Sequence, residues 1–305
     1  MSSTPAASPD LQHTLANGID QACFEWHAER KSAAPTLLMV HATGFHGRVW
    51  DQVIAQLPGH HVLALELRGH GRSERVPFNS WEDFGRDVAA FSAARELQGA
   101  IGIGHSMGAH ALVQAAAFEP TRFSRLVLID PTIMAPTFYH APRADVNAPH
   151  PAAMRKNQFE SAQAMFDRFA DRVPYSVFDT QALRDYCEHG LLPAAQCPAT
   201  GQDPGFELAC PPSFEAQVYI RSRGNLGIFA SIRALQIPVL VIRARPMQPG
   251  ILPFDPLGSP TWPPLADEFH LGRDVHLTTH THMLPMEDPP LTARFIHDFV
   301  AEAAR

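Results

Sequence analysis

The sequence predicts an α/β fold: a doubly wound, mostly parallel sheet with an inserted helical cap. Three observations carry this. Short apolar runs recur at 36–40, 62–67, 100–104, 126–129, 239–242 and 275–278, each bounded by Gly, Pro or polar clusters. Continuous rather than alternating apolar character marks strands covered on both faces, hence a parallel sheet. Segments of helical period lie between them at 49–57, 81–97, 107–118 and 291–304, and such alternation of strand and helix is the signature of a doubly wound domain. The alternation fails between 131 and 236, where helical patterns are separated only by Pro-rich loops.

These patterns divide the chain. Residues 1–18 are rich in Ser, Pro and Ala without periodicity and read as a frayed terminus. Residues 19–132 and 236–305 form the α/β core, and 133–235 the cap. Within the cap, Phe159, Ala162, Phe166, Phe169 and Val173 fall at helical spacing, and 183–186 and 214–220 suggest further short helices. Such a stripe is first of all core packing. A helical layer at the carboxyl ends of the strands nevertheless roofs the place where open α/β sheets bind ligands, so Phe138, Tyr139, Phe166, Phe169 and Tyr175 are candidates for a substrate pocket.

Composition removes several functions. The 24 Lys+Arg against 31 Asp+Glu give a net charge of −7, with no basic run, which argues against nucleic acid or an anionic membrane surface as partner. No apolar stretch approaches the roughly 18 residues needed to span a bilayer. The opening MSSTPAASPDLQHT carries neither a basic n-region nor an apolar h-region, so a cytoplasmic location is expected. Cys23, Cys187, Cys197 and Cys210 lack CxxC spacing and read as reduced thiols.

The chemistry concentrates in Gly104-His105-Ser106-Met107-Gly108, which directly follows the buried run at 100–103 and opens a small-residue helix. A serine hydroxyl becomes a nucleophile when a sharp strand-to-helix turn raises it toward a base and toward helix-end N–H groups. The base is expected to be His282, on a loop after the last strand. An oxyanion needs two preorganised donors. The N–H of Met107 is one, and the N–H of Thr43, in the loop after 36–40, is the other; Phe45 on that loop and His105 in the elbow are further candidates for substrate contact. His276, His280 and His282 form H-x-x-x-H-x-H, but no carboxylate or Cys accompanies them at zinc spacing, so neither metal nor organic cofactor is expected.

These motifs together resemble the α/β-hydrolase superfamily, of the cap-bearing kind. His41-Ala42-Thr43-Gly44 resembles the family's His-Gly oxyanion loop, and Glu66 through Ser73 resembles its Asp-x-Arg-Gly-x-Gly-x-Ser turn, with Ala42 for Gly and Glu66 for Asp. Gly104 to Gly108 resembles the nucleophile elbow, and His282 through Pro289 the terminal histidine segment. Arg68 and Ser73 are read as holding the fold.

The resemblance breaks at the third triad member. In most of the family the strand resembling 237–243 is followed within a few residues by Asp, whereas here Arg243-Ala244-Arg245-Pro246-Met247-Gln248-Pro249-Gly250 contains no acid. Asp130, at the end of the strand after the nucleophile helix, is the preferred substitute, and Asp255 the alternative. The expected activity is hydrolysis of a moderately apolar carboxylic ester or lactone, a small molecule, through an acyl-enzyme. C–C bond hydrolysis, cofactor-free perhydrolysis and a receptor-like binding protein with little turnover are the rivals.

Overall fold

The computed structural model describes residues 8–140, 145, 147, 149–194, 205–248, 250 and 255–302. Eleven strands run β1 (Asp10–Ala16), β2 (Ile19–Trp26), β3 (Leu37–Val40), β4 (Val62–Leu65), β5 (Ala100–His105), β6 (Phe123–Ile129), β7 (Gln158–Phe159), β8 (Leu191–Pro193), β9 (Phe206–Leu208), β10 (Val239–Arg243) and β11 (Gly272–His276) among the described residues. Eight of them form one sheet, ordered β1-β2-β4-β3-β5-β6-β10-β11. Pairing is antiparallel at β1/β2 and β2/β4 and parallel from β4 onward. β3, β4 and β5 are buried at every position, as strands covered on both faces must be.

Helices α1 (Asp51–Ile54), α2 (Glu82–Ala94), α3 (Met107–Phe118), α4 (Pro136–His140), α5 (Ala162–Phe169), α6 (Thr180–His189), α7 (Pro212–Ile220), α8 (Ile228–Ala234), α9 (Leu284–Glu287) and α10 (Pro289–Ala301) complete the described secondary structure apart from short 3-10 turns. One face of the sheet packs on α2, α3 and α8 through Phe84, Phe91, Leu112 and Ile232. The other packs on α1 and α10 through Trp50, Ile54, Ile296 and Phe299. Helix α10 starts two residues ahead of the helical period read from 291, with Asp288 accepting a hydrogen bond from Leu291 N–H and Pro at its first turn.

Two expectations are corrected. Residues 10–16 are not frayed: they pair residue for residue with β2, and burying one side of that hairpin overrides the disorder suggested by composition. The segment 133–235 is not purely helical, because β7, β9 and β8 form a small antiparallel sheet within it. Its last helix, α8, packs beside α3 on the flank of the main sheet. The rest of the segment sits over loops at the carboxyl edge. Phe214 of α7 lies against Gly69, Glu215 against Gly44, and Tyr186 of α6 stacks on His46 and packs at a tilt against Phe45.

The turn after β4 ties this edge together. Glu66, fully buried, accepts hydrogen bonds from Gly47 N–H (3.1 Å) and from Arg72 N–H and Nη1. A Cβ on Gly71, at φ 58°, would lie 2.0 Å from that carboxyl carbon. Arg68 makes a buried bidentate pair with Asp87, and Ser73 bridges Glu66 C=O to Ala22 N–H. His41 donates from Nδ1 to Ala42 C=O and accepts Leu67 N–H at Nε2, joining the loop after β3 to this turn.

Candidate active site

Ser106 stands between β5 and α3 at φ 55°, ψ −115°, a region that non-glycine residues occupy only when their surroundings force it. The forcing groups are visible. A Cβ on Gly108 would lie 2.2 Å from Val40 C=O, and one on Gly104 2.5 Å from the Ala109 backbone, so the helix can enter this close to the sheet only over glycines.

His282 follows β11 and faces the serine, with Nε2 3.1 Å from Ser106 Oγ. Its Nδ1 lies 2.6 Å from Asp130 Oδ2. An ionised carboxylate only accepts, so this contact puts the imidazole proton on Nδ1 and leaves Nε2 free to accept from the serine. Asp130 closes β6 at φ 43° and is buried. Its Oδ1 accepts from Ala244 N–H (2.9 Å), Ser259 Oγ and Thr261 Oγ1 (3.2 Å). Burial pushes the Asp130 carboxyl upward, but hydrogen bonding and charge from His282, with the Ser259 and Ala244 donors, outweigh it and hold the group below the ordinary carboxylate range.

Asp255 is brought elsewhere. It pairs with Arg245 at 2.7 Å and accepts Gln248 and Leu257 N–H, so its acceptor capacity is spent within its own loop. The backbone N–H groups of Thr43 and Met107 have no hydrogen-bond partner among the described residues, and Thr43 Oγ1 donates to Met107 Sδ at 3.4 Å, which links the two loops. His276 is exposed on β11, and His280 pairs with Asp288 at 3.4 Å. Among the described residues no three potential metal ligands converge. Cys23, Cys187 and Cys210 are free and buried, with burial pushing the Cys187 thiol up to about 12; Cys197 lies outside the described residues.

The candidate pocket residues divide. Phe45 packs against Tyr186 and Phe178, with His105 beside it. His105 is corrected from substrate contact to support: the elbow turns its buried ring beneath the histidine loop, where Nε2–H donates to His282 C=O at 2.7 Å. Burial, and then the neighbouring His282, push it down to about 3, so it is neutral. Tyr139 is also core: its hydroxyl accepts Met134 N–H at 3.3 Å and its ring packs edge-on to Phe229. Phe169 stacks on Tyr175 at 4.3 Å, inside the aromatic interior of the inserted segment with Phe159 and Tyr186. Phe138 and Phe166 are half-buried beneath the guanidinium groups of Arg223 and Arg184. None of Phe138, Tyr139, Phe166, Phe169 and Tyr175 makes a ring or hydrogen-bond contact with Ser106 or His282.

Two features were not singled out from the sequence. Thr132 Oγ1 lies 2.9 Å from Ser106 Oγ. Arg155 forms an ion pair with the buried Glu215 directly above Gly44, and its Nη2 donates to Tyr175 Oη at 2.7 Å. No sequence motif marks either one. Position 132 could have been suspected only because it lies two residues beyond Asp130.

Residues 37–296 match the model of the alpha/beta hydrolase family, and the chain belongs to that family. Among curated relatives, lipase LipV of Mycobacterium tuberculosis is 32% identical over 115 residues, 36% of this chain and 43% of the lipase. The 2-(acetamidomethylene)succinate hydrolase of Mesorhizobium japonicum is 27% identical over 242 residues, 78% of this chain and 80% of that protein. A crystal structure of E-2-(acetamidomethylene)succinate hydrolase superposes with TM-score 0.71 at 21% identity, covering 96% of this chain and 99% of that one, a likeness of fold. The match thus spans less than half of the lipase, and most of the succinate hydrolase. Among the described residues no helix is long and apolar enough to cross a membrane.

Proposed function

We propose that this protein is a serine hydrolase that cleaves a moderately apolar carboxylic ester or lactone through an acyl-enzyme. Ser106 is the nucleophile, His282 the general base and acid, and Asp130 the carboxylate that orients it. The observation that carries this is the two-sided hydrogen bonding of His282, at 3.1 Å to Ser106 Oγ and 2.6 Å to Asp130 Oδ2. In this reading Ser106 Oγ attacks the carbonyl carbon as its proton passes to His282 Nε2. The Thr43 and Met107 N–H groups donate to the oxyanion, with no acceptor among the described residues to break away from first. His282 then protonates the leaving oxygen, and water repeats the sequence to release the acid.

A fluorophosphonate and a chromogenic short-chain ester test the reading together. Ser106 should be labelled and turnover abolished by the label, and Ser106→Ala should lose several orders of magnitude in kcat while remaining folded. A folded Ser106→Ala protein with undiminished turnover would sink the assignment.

A further inference from the structure

We propose that Thr132 is a catalytic residue of the second half-reaction: its hydroxyl holds Ser106 Oγ in the resting enzyme and, once the serine is acylated, holds the attacking water against His282. This rests on the serine-hydrolase reading. Ser106 Oγ has two hydrogen-bond partners, His282 Nε2 at 3.1 Å and Thr132 Oγ1 at 2.9 Å. The serine proton belongs to Nε2, because Nδ1 gives its own proton to Asp130. The bond from Thr132 therefore runs the other way, with Oγ1–H donating to a lone pair of Ser106 Oγ.

Acylation removes that acceptor. Oγ becomes the alkoxy oxygen of an ester, whose lone pair is delocalised into the carbonyl, and the threonine hydroxyl is released next to the bond that water must cleave. A hydrolytic water has to reach His282 Nε2 and the carbon attached to Oγ. Thr132 Oγ1, one hydrogen-bond length from Oγ, lies within reach of the same spot. The water can give one proton to Nε2 and the other, as a hydrogen bond, to Thr132 Oγ1, which points its lone pair at the acyl carbon. Its oxygen bonds to that carbon as the first proton transfers to Nε2. The tetrahedral intermediate then breaks its bond to Oγ, Nε2 returns the proton to Oγ, and the carboxylic acid departs. Thr132 keeps its own proton throughout.

A purely structural role for the hydroxyl is disfavoured by the backbone, which is anchored without it. Thr132 N–H donates to Ser106 C=O at 3.2 Å, and Thr132 C=O accepts from His110 Nδ1 at 3.0 Å. The ring of His110 is in turn held by Asn225 at 2.7 Å and by the edge of Trp81.

The test is pre-steady-state hydrolysis of p-nitrophenyl acetate by wild type, Thr132→Val, Thr132→Ala and Thr132→Ser, with fluorophosphonate labelling of each. Valine keeps the shape and removes the hydroxyl. Deacylation should slow about tenfold in the valine and alanine variants, the equivalent of one hydrogen bond, so that a burst of p-nitrophenolate precedes a slower steady state. Serine should restore the wild-type time course. A structural role would lower labelling and acylation as well, without favouring deacylation. Labelled Thr132→Val or Thr132→Ala protein whose acyl-enzyme decays at the wild-type rate overturns the role of Thr132. Wild type that the fluorophosphonate does not label overturns the underlying hydrolase reading instead.

Discussion

Replacing Asp130 by Asn changes one atom in a site where each oxygen has a defined partner, so the outcome can be worked through. Oδ1 faces three donors, Ala244 N–H, Ser259 Oγ and Thr261 Oγ1, while Oδ2 faces His282 Nδ1. The two hydroxyls can rotate and accept, but the Ala244 N–H cannot. An asparagine therefore keeps its carbonyl oxygen toward Ala244 and turns its NH2 group toward Nδ1. That amide is a donor, so Nδ1 must become the acceptor and the imidazole proton moves to Nε2, the nitrogen facing Ser106. The base is lost although every heavy atom stays in place. This tautomer fault costs about 10⁴-fold in kcat, or ~5.4 kcal/mol of transition-state stabilisation, with little change in stability.

Asp255→Asn supplies the contrast. It removes a charge from the partly shielded pair with Arg245, costing about 1 kcal/mol of stability and leaving kcat within about twofold. Turnover of a chromogenic ester, with thermal unfolding of both variants measured in parallel, decides the matter. Folded Asp130→Asn protein that keeps more than about a tenth of wild-type kcat, or a larger loss in Asp255→Asn, would refute the reasoning.

Two further predictions follow from buried groups. Burial pushes His70, His105 and His110 down to about 4, 3 and 4, from an ordinary 6.5 that they regain on unfolding. The unfolded chain thus binds more protons as pH falls through 6.5, and stability should drop across pH 6.5 to 4 while staying level above 7, by up to about 2 kcal/mol per histidine at pH 5. Asp51, pushed by burial up to about 6 against the pull of Arg48, leans the other way, as do Glu66 and Glu215, and the net loss is smaller than the histidines alone would give. Urea midpoints at pH 5.0 and 7.5 check this, and equal midpoints would contradict it. Tyr139→Ala should cost about 3–5 kcal/mol of stability by opening a cavity beside Phe229, with the ranking of an ester panel unchanged; a reordered panel in a stable variant would return Tyr139 to the pocket.

The core strands, the elbow and the histidine loop were legible because each leaves a local signature: a buried run, a pair of glycines flanking Ser106, a histidine beyond the last strand. What was missed depends on pairing. β1 carries exposed Leu11 and Leu15 next to a Ser- and Pro-rich start, and becomes a strand only because β2 offers its edge. Phe169 and Tyr139 have the apolar character of pocket residues, yet side-chain type does not say which face of a short helix meets the core. His105 reads as an elbow residue, but its bond to the carbonyl of His282 crosses 177 positions of sequence. Thr132 is similar. It reaches Ser106 because the parallel register pairs His105 with Ile129, which brings the residues just beyond each strand side by side.

The same register explains why a carboxylate after either of two strands can reach the imidazole of His282. β6 lies between β5 and β10, with Ile129 paired to His105 on one side and to Ile242 on the other. Residues leaving β6 and β10 therefore emerge as neighbours at one edge. Asp130 N–H donates to Ile242 C=O at 2.6 Å, and Ala244 N–H, from the segment where most of the family carries its acid, donates to Asp130 Oδ1 at 2.9 Å. The left-handed φ of 43° at Asp130 ends the strand abruptly at that point. What the imidazole requires is an acceptor at Nδ1, not a particular strand to supply it, and the backbone beyond β10 serves here as the donor that fixes the carboxylate on its neighbour. Moving the acid by one strand exchanges the roles of two adjacent chain segments and leaves the line from carboxylate to imidazole to serine unchanged.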